Sequence, residues 1–183
     1  NTGYTFAGWY VASDCSGTAK STSATYTFTM HDAGTSGTVY NLYAKFTRNA
    51  YSLSLNAYTN GSASATGGTV KIGTSGTAGA TASQTNINHG TVLTAVATAN
   101  TGYTFGGWFT NTGLTTSFSS SASASVTLTA NTTLYAKFTA NTYTVTFAGN
   151  SGTLTYTDAL GSDYKFTATY AVTYTISDYV SAV

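Results

Sequence analysis

His31 and Asp32 form the one adjacent histidine–aspartate pair in the chain, so a search for acid–base or nucleophilic chemistry begins there. A triad needs a nucleophile, a base beside it and a third group that orients the base. The spacing around His31 supplies no such set, and the stretch from His31 to Thr38 is rich in Gly, Ser and Asp, which reads as a surface loop. His89 precedes Gly90 at an expected turn and has no second histidine or carboxylate near it in sequence, too few ligands for a metal. Asp158, Asp163 and Asp178 are spaced too widely for a calcium loop. Gly73, Gly76 and Gly79 lie in low-complexity sequence, not in a phosphate-cradling turn after a strand. With 5 Asp and no Glu, a pair of carboxylates for glycoside hydrolysis is not expected. Cys15 is the single cysteine and reads as a small, partly buried thiol. The sequence therefore predicts no catalytic residue, no cofactor site and no metal site.

Composition says what kind of scaffold remains. The chain has 183 residues, of which 42% are hydrophobic and 6% charged, with no Pro. An ordinary globular domain is about a quarter charged, and helical ones lean on Glu and Lys. The 41 Thr, 21 Ser, 15 Tyr and 9 Phe instead favour strands, because β-branched and aromatic side chains suit a pleated, half-buried surface. An all-β protein is the expectation. The net charge is +1, and Lys20, Lys45, Arg48, Lys71, Lys137 and Lys165 are scattered, so no nucleic-acid partner is expected. No run approaches the roughly 20 apolar residues of a membrane-spanning helix. Asn1-Thr2-Gly3 does not read as a signal peptide, and the chain reads as a piece of something longer.

An internal repeat organises the chain. Asn1 to Tyr10, NTGYTFAGWY, recurs as NTGYTFGGWF from Asn100 to Phe109, and Leu42 to Thr47, LYAKFT, recurs from Leu134 to Thr139. The strand-like YSLSL from Tyr51 matches YTVTF from Tyr143. The order within one unit of about 90 residues is thus YxVxF, GYTFxGW, LYAKFT. Residues 1–48 read as the back half of a module, 49–140 as a complete module and 141–183 as the front half of another. Most of the extra length in the first copy falls in the His31–Thr38 loop, where insertions cost little.

Period-two alternation marks strands with one buried face. Tyr26, Phe28 and Met30 share a face in TYTFTM, as do Val126 and Leu128 in SVTLT, and Leu134, Ala136 and Phe138 in LYAKF. Val92 to Ala99 and Tyr164 to Ile176 are further candidates. Asn60-Gly61, Gly67-Gly68, Gly113 and Gly149-Asn150 read as turns. Gly73 to Gln84, made of small and polar residues apart from turn glycines, reads as a long loop or weakly packed edge. Tyr4, Phe6, Trp9, Leu42 and Phe46, and their counterparts Tyr103, Phe105, Trp108, Leu134 and Phe138, are the expected structural core, with each tryptophan set beside a glycine kink.

The elements YxVxF, GYTFxGWY and TLYAKF, in this order, resemble the Listeria-Bacteroides repeat, the internalin B-repeat-like family of bacterial surface proteins, as a divergent member. The resemblance implies small β-rich modules in tandem in a non-enzymatic protein at the cell surface or outside the cell; because the residues show no amphipathic helix pattern, a sandwich or a grasp-like sheet without a major helix is the expectation. It covers residues 1 to about 147.

The expected function is structural: a tandem β-repeat stalk, or the subunit of a surface filament or sheath assembled head to tail. The expected partner is a copy of the chain itself. Tyr143, Val145 and Phe147 would form the assembly strand, so that the C-terminal half of one copy completes the N-terminal half of the next. A glycan-binding adhesin, with sugars stacked on exposed aromatics, is the alternative, and an ice-binding protein with a Thr ladder a remote one. Asn60 and Asn131 fit the N-glycosylation sequon.

Overall fold

The computed structural model of the protein describes residues 1–29, 39–146, 154–156, 165–174 and 180–182. His31, Asp32, Met30, Phe147, Gly149, Asn150, Asp158, Asp163 and Asp178 lie outside them. Among the described residues the chain is all-β, with no helix. It divides into two compact units, residues 1–52 with 85–91 and 127–131, and residues 53–84, 92–126 and 132–183.

In the first unit, β1 (Tyr4–Tyr10) and β2 (Tyr43–Arg48) pair antiparallel in a two-stranded sheet. The register shifts between Phe6 and Gly8, so that Ala7 has no partner on β2. Gly8 sits there at φ 144°, a conformation that residues with a side chain avoid.

The second unit holds most of the buried apolar side chains. Its larger sheet runs in the order β4 (Ser62–Ala63), β3 (Ala50–Thr59), β11 (Thr132–Ala140), β8 (Tyr103–Phe109), β9 (Ser117–Ser119), and β6 (Thr81–Asn88) also pairs with β3. A three-stranded sheet runs β10 (Ser123–Thr127), β7 (Val92–Ala99), β5 (Gly68–Ile72). The central pair β3·β11 is parallel, with Leu53 opposite Thr132, Leu55 opposite Leu134 and Ala57 opposite Ala136. Alternate residues of both strands are buried, Leu53, Leu55 and Ala57 on one and Leu134, Ala136 and Phe138 on the other, as period-two patterning requires. Asn60 and Gly61, both at positive φ, close the tight β3–β4 hairpin. Two further pairs follow: β12 (Thr142–Thr146) with β14 (Lys165–Thr169), and β13 (Leu154–Tyr156) with β15 (Val180–Ala182).

The small-residue stretch from Gly73 holds no strand as far as Ala80 and then a largely exposed edge strand from Thr81, both of which the sequence allowed; Ala57 N–H donates to Ala80 O at 2.7 Å beside it. One sequence expectation changes. No strand forms over 25–29, although its counterpart β10 is a strand. The physical reason lies in the partner: β10 pairs with β7, and among the described residues no strand pairs with 25–29. Tyr26 and Phe28 stack on each other instead, with ring centroids 5.6 Å apart.

Candidate assembly site

The two copies of the GYTFxGW motif build the same aromatic cluster. Phe6 meets Trp9 edge-on at 5.5 Å and Phe46 at 5.7 Å; Phe105 meets Trp108 edge-on at 5.9 Å and Phe138 at 5.8 Å. Trp9 Nε1 donates to Ala24 O at 3.3 Å and Trp108 Nε1 to Ala122 O at 3.4 Å. The bulge is shared too, with Gly107 at φ 116° where Gly8 stands in the first copy.

Burial separates the copies. Trp108, Leu134 and Phe138 have no exposed surface, and Tyr103 and Phe105 are half-buried. In the first copy Phe6, Trp9 and Leu42 are only half-buried, while Tyr4 is 46% and Phe46 is 54% exposed. The expectation that Tyr4 and Phe46 are core residues is corrected. The cause is visible in the second copy, where β3 lies on one edge of β11 and the Phe138 side chain packs on Gly67 through its Cβ and on Gly68 through its ring. β2 has β1 on one edge and, among the described residues, no strand on the other. Tyr143, expected on an assembly strand, is exposed and Val145 half-buried on β12, whose partner is β14.

A second device recurs where one repeat passes into the next, and the sequence reading missed it. One residue, Asn49, separates β2 from β3, and one residue, Asn141, separates β11 from β12. Asn49 N–H donates to Gly3 O at 2.8 Å and its Oδ1 accepts from Thr5 Oγ1 at 2.6 Å. Asn141 N–H donates to Gly102 O at 2.8 Å and its Oδ1 accepts from Thr104 Oγ1 at 2.7 Å. Each asparagine carbonyl then accepts from the backbone N–H of a ring-bearing residue, His89 or Tyr170, at 2.8 Å. Those rings pack on the glycines: a Cβ added to Gly3 would fall within the His89 imidazole, and one on Gly102 within the Tyr170 ring. Both glycines are at φ 81°. The matched Asn49-Ala-Tyr51 and Asn141-Thr-Tyr143 segments were the available signal. The ring positions escaped because His and Tyr differ in type and stand 81 residues apart, not 92 or 99.

Among the described residues no three His, Cys, Asp or Glu side chains gather around a metal-sized site. Cys15 is a free thiol, half-buried, in a turn at φ 55°. Hydrogen bonds from Ser16 hold the exposed Asp14 carboxyl below its ordinary range, the Ser16 N–H lying 2.9 Å from Oδ1. Lys45 lies 5.2 Å over the Tyr10 ring. Of the two sequon asparagines, Asn60 is an exposed turn residue, and Asn131, also exposed, accepts from Ser52 N–H at 2.9 Å and from its hydroxyl at 3.2 Å.

Comparison with known proteins gives the arrangement its context. Residues 69–137 match the family model of the Listeria-Bacteroides repeat domain, and residues 1–50 match that of the divergent InlB B-repeat domain. The two segments match the family that the motifs resemble. Repeats of this kind belong to bacterial surface proteins. No curated protein sequence matches the chain. A solved structure, the Bacillus anthracis TIE protein, aligns at 12% identity with a TM-score of 0.37, over 73% of this chain and 30% of that one. Among the described residues no helix is long and apolar enough to cross a membrane.

Proposed function

We propose that the protein is a non-enzymatic, extracellular structural component, a run of β-modules joined head to tail as a stalk or as the subunit of a surface filament or sheath. The observation that carries this reading is the recurrence of one junction, Gly3–Asn49–His89 and Gly102–Asn141–Tyr170, with the same three backbone and side-chain hydrogen bonds at each place. A single connecting residue leaves little slack between consecutive repeats, unlike the flexible linkers that separate independently moving domains. Repeat arrays in which each unit touches only its neighbours are the usual way to build length from small cores. The family matches place such repeats in surface proteins, and exposed Thr and Ser with few charges suit a load-bearing, solvent-facing role.

The glycan-binding alternative has less support, because Trp108, its best platform, is fully buried and offers no face to a sugar. Antibodies raised against residues 51–139 test the structural reading. Regular labelling along projections or a layer outside intact producing cells is the expected result. Label found only after the cells are broken open overturns it.

A further inference from the structure

Backbone direction sets the two central strands of the complete module apart. β3 and β11 pair in parallel over seven positions, from Leu53 opposite Thr132 to Thr59 opposite Phe138, whereas β8·β11, β5·β7 and β8·β9 are antiparallel. They are also the first and last strands of the module in sequence, with β4 to β10 between them. In a parallel pair the start of one strand and the end of the other lie at opposite ends of the ladder. The chain therefore enters at the Leu53 end and leaves at the Phe138 end, and a pull along the polypeptide draws the two strands past each other lengthwise. Hydrogen bonds that cross between the strands then share the load, where a pull applied at one end of the ladder would open them in turn. The ladder is also shielded. β8 lies on the far edge of β11, and β4 and β6 pair with β3. On one face Leu53, Leu55, Ala57, Leu134, Ala136 and Phe138 are buried; on the other, Tyr58 and Tyr135, both half-buried, meet edge-on at 5.3 Å.

We propose that the β3·β11 ladder is the force-bearing clamp of the module: tension carried along the chain is resisted by these two strands in shear, and the residues between them stay unloaded until the ladder gives way. This rests on the stalk or filament reading above and says which element of such a structure takes the load. The connectivity delivers tension to the ladder without a compliant linker, since only Asn49 lies between β2 and β3 and only Asn141 between β11 and β12. The register is suited to hold. Leu55 stands opposite Leu134 and Ala57 opposite Ala136, and a slip of one residue would turn every inward side chain of a strand to the other face, so the strands have no favourable resting place one step along. Each hydrogen bond contributes little by itself, and the resistance comes from having to break them together. The load at which the module yields follows the barrier to that one event, because forced unfolding is governed by the unfolding rate and not by the equilibrium stability.

Single-molecule force spectroscopy on the full chain tests this, with handles attached through cysteines placed in a Cys15→Ser background. Ala50→Cys with Thr139→Cys, both at exposed positions, loads the ladder lengthwise. Ser62→Cys with Thr139→Cys applies the force at one end of it, because Ser62 and Phe138 both lie opposite Thr59. Ser62 is exposed as well, and a thermal melt of each variant checks that the native fold is kept before it is pulled. At one loading rate the lengthwise pair should hold to a mean unfolding force several-fold above that of the end-on pair. It should then yield in a single step that releases up to about 300 Å, at about 3.3–3.6 Å per residue between positions 50 and 139. Equal forces in the two geometries, or extension in small steps before the lengthwise pair yields, overturn the clamp. Failure of the clamp is separable from failure of the structural reading, which the labelling of cells decides independently.

Discussion

The His89 ring rests on the backbone of Gly3 so closely that a methyl group on that glycine would overlap it, and Tyr170 stands in the same relation to Gly102. Two rings of different chemistry do one job. The job needs a flat side chain, a glycine at positive φ and an asparagine that bonds both partners, so the junction depends on shape and backbone polarity more than on imidazole or phenol.

Alanine at these glycines should separate backbone strain from ring contact. Gly61 is also at positive φ, 85°, but nothing lies within 4 Å of where its Cβ would stand. Gly61→Ala should therefore cost about 1–2 kcal/mol, the penalty of the left-handed backbone alone. Gly3→Ala and Gly102→Ala should cost about 2–4 kcal/mol, since overpacking adds to it. Urea denaturation of the three variants checks this; equal losses at all three would mean that the rings move aside freely.

The junction hydrogen bonds should be coupled. Thr104→Val and Asn141→Ala each remove one end of the 2.7 Å bond and should each destabilise by about 0.5–1.5 kcal/mol. The double variant should lose less than the sum, because one bond is lost and not two. A double-mutant cycle measures the coupling, and strict additivity would deny the bond any energetic role.

Equivalent aromatics should differ in worth according to what covers them. Trp108→Ala and Phe138→Ala remove fully buried rings and should cost about 3–5 kcal/mol each. Phe46→Ala removes a ring that is 54% exposed and should cost less than about 1 kcal/mol in the dilute chain. Thermal melts at low concentration give both numbers; a large loss at Phe46 would show that its face is already covered in a single chain.

A fragment spanning residues 51–139 should fold by itself, since the whole β3·β11 ladder, from Leu53 opposite Thr132 to Thr59 opposite Phe138, and the strands flanking it lie within it. A fragment of residues 1–48 should not, having two paired strands and, among the described residues, no third to cover them. Circular dichroism melts of the two peptides decide: a cooperative transition is expected for the longer one, and one in the shorter would contradict this.

The sequence by itself determined the class, the period and the order of elements. Composition excluded a helical scaffold, alternation in SVTLT and LYAKF set which residues face inward, and two copies of NTGYTF and LYAKFT fixed the repeat. These are local properties, carried by side chains within a few residues of one another. Tertiary structure alone decided that Phe46 is exposed while Phe138 is buried, although both sit in the same hexapeptide, because burial depends on β3 and Gly67-Gly68 lying over one and on nothing described lying over the other. It likewise decided that 25–29 stays unpaired while β10 is a strand, for a ladder needs a second backbone as well as a favourable pattern. The junction was decided at the same level: His89 and Tyr170 become equivalent only when a turn from one repeat is brought against a glycine from the one before, a contact spanning 86 residues in one case and 68 in the other, numbers that follow from positions 3 and 89 and from 102 and 170.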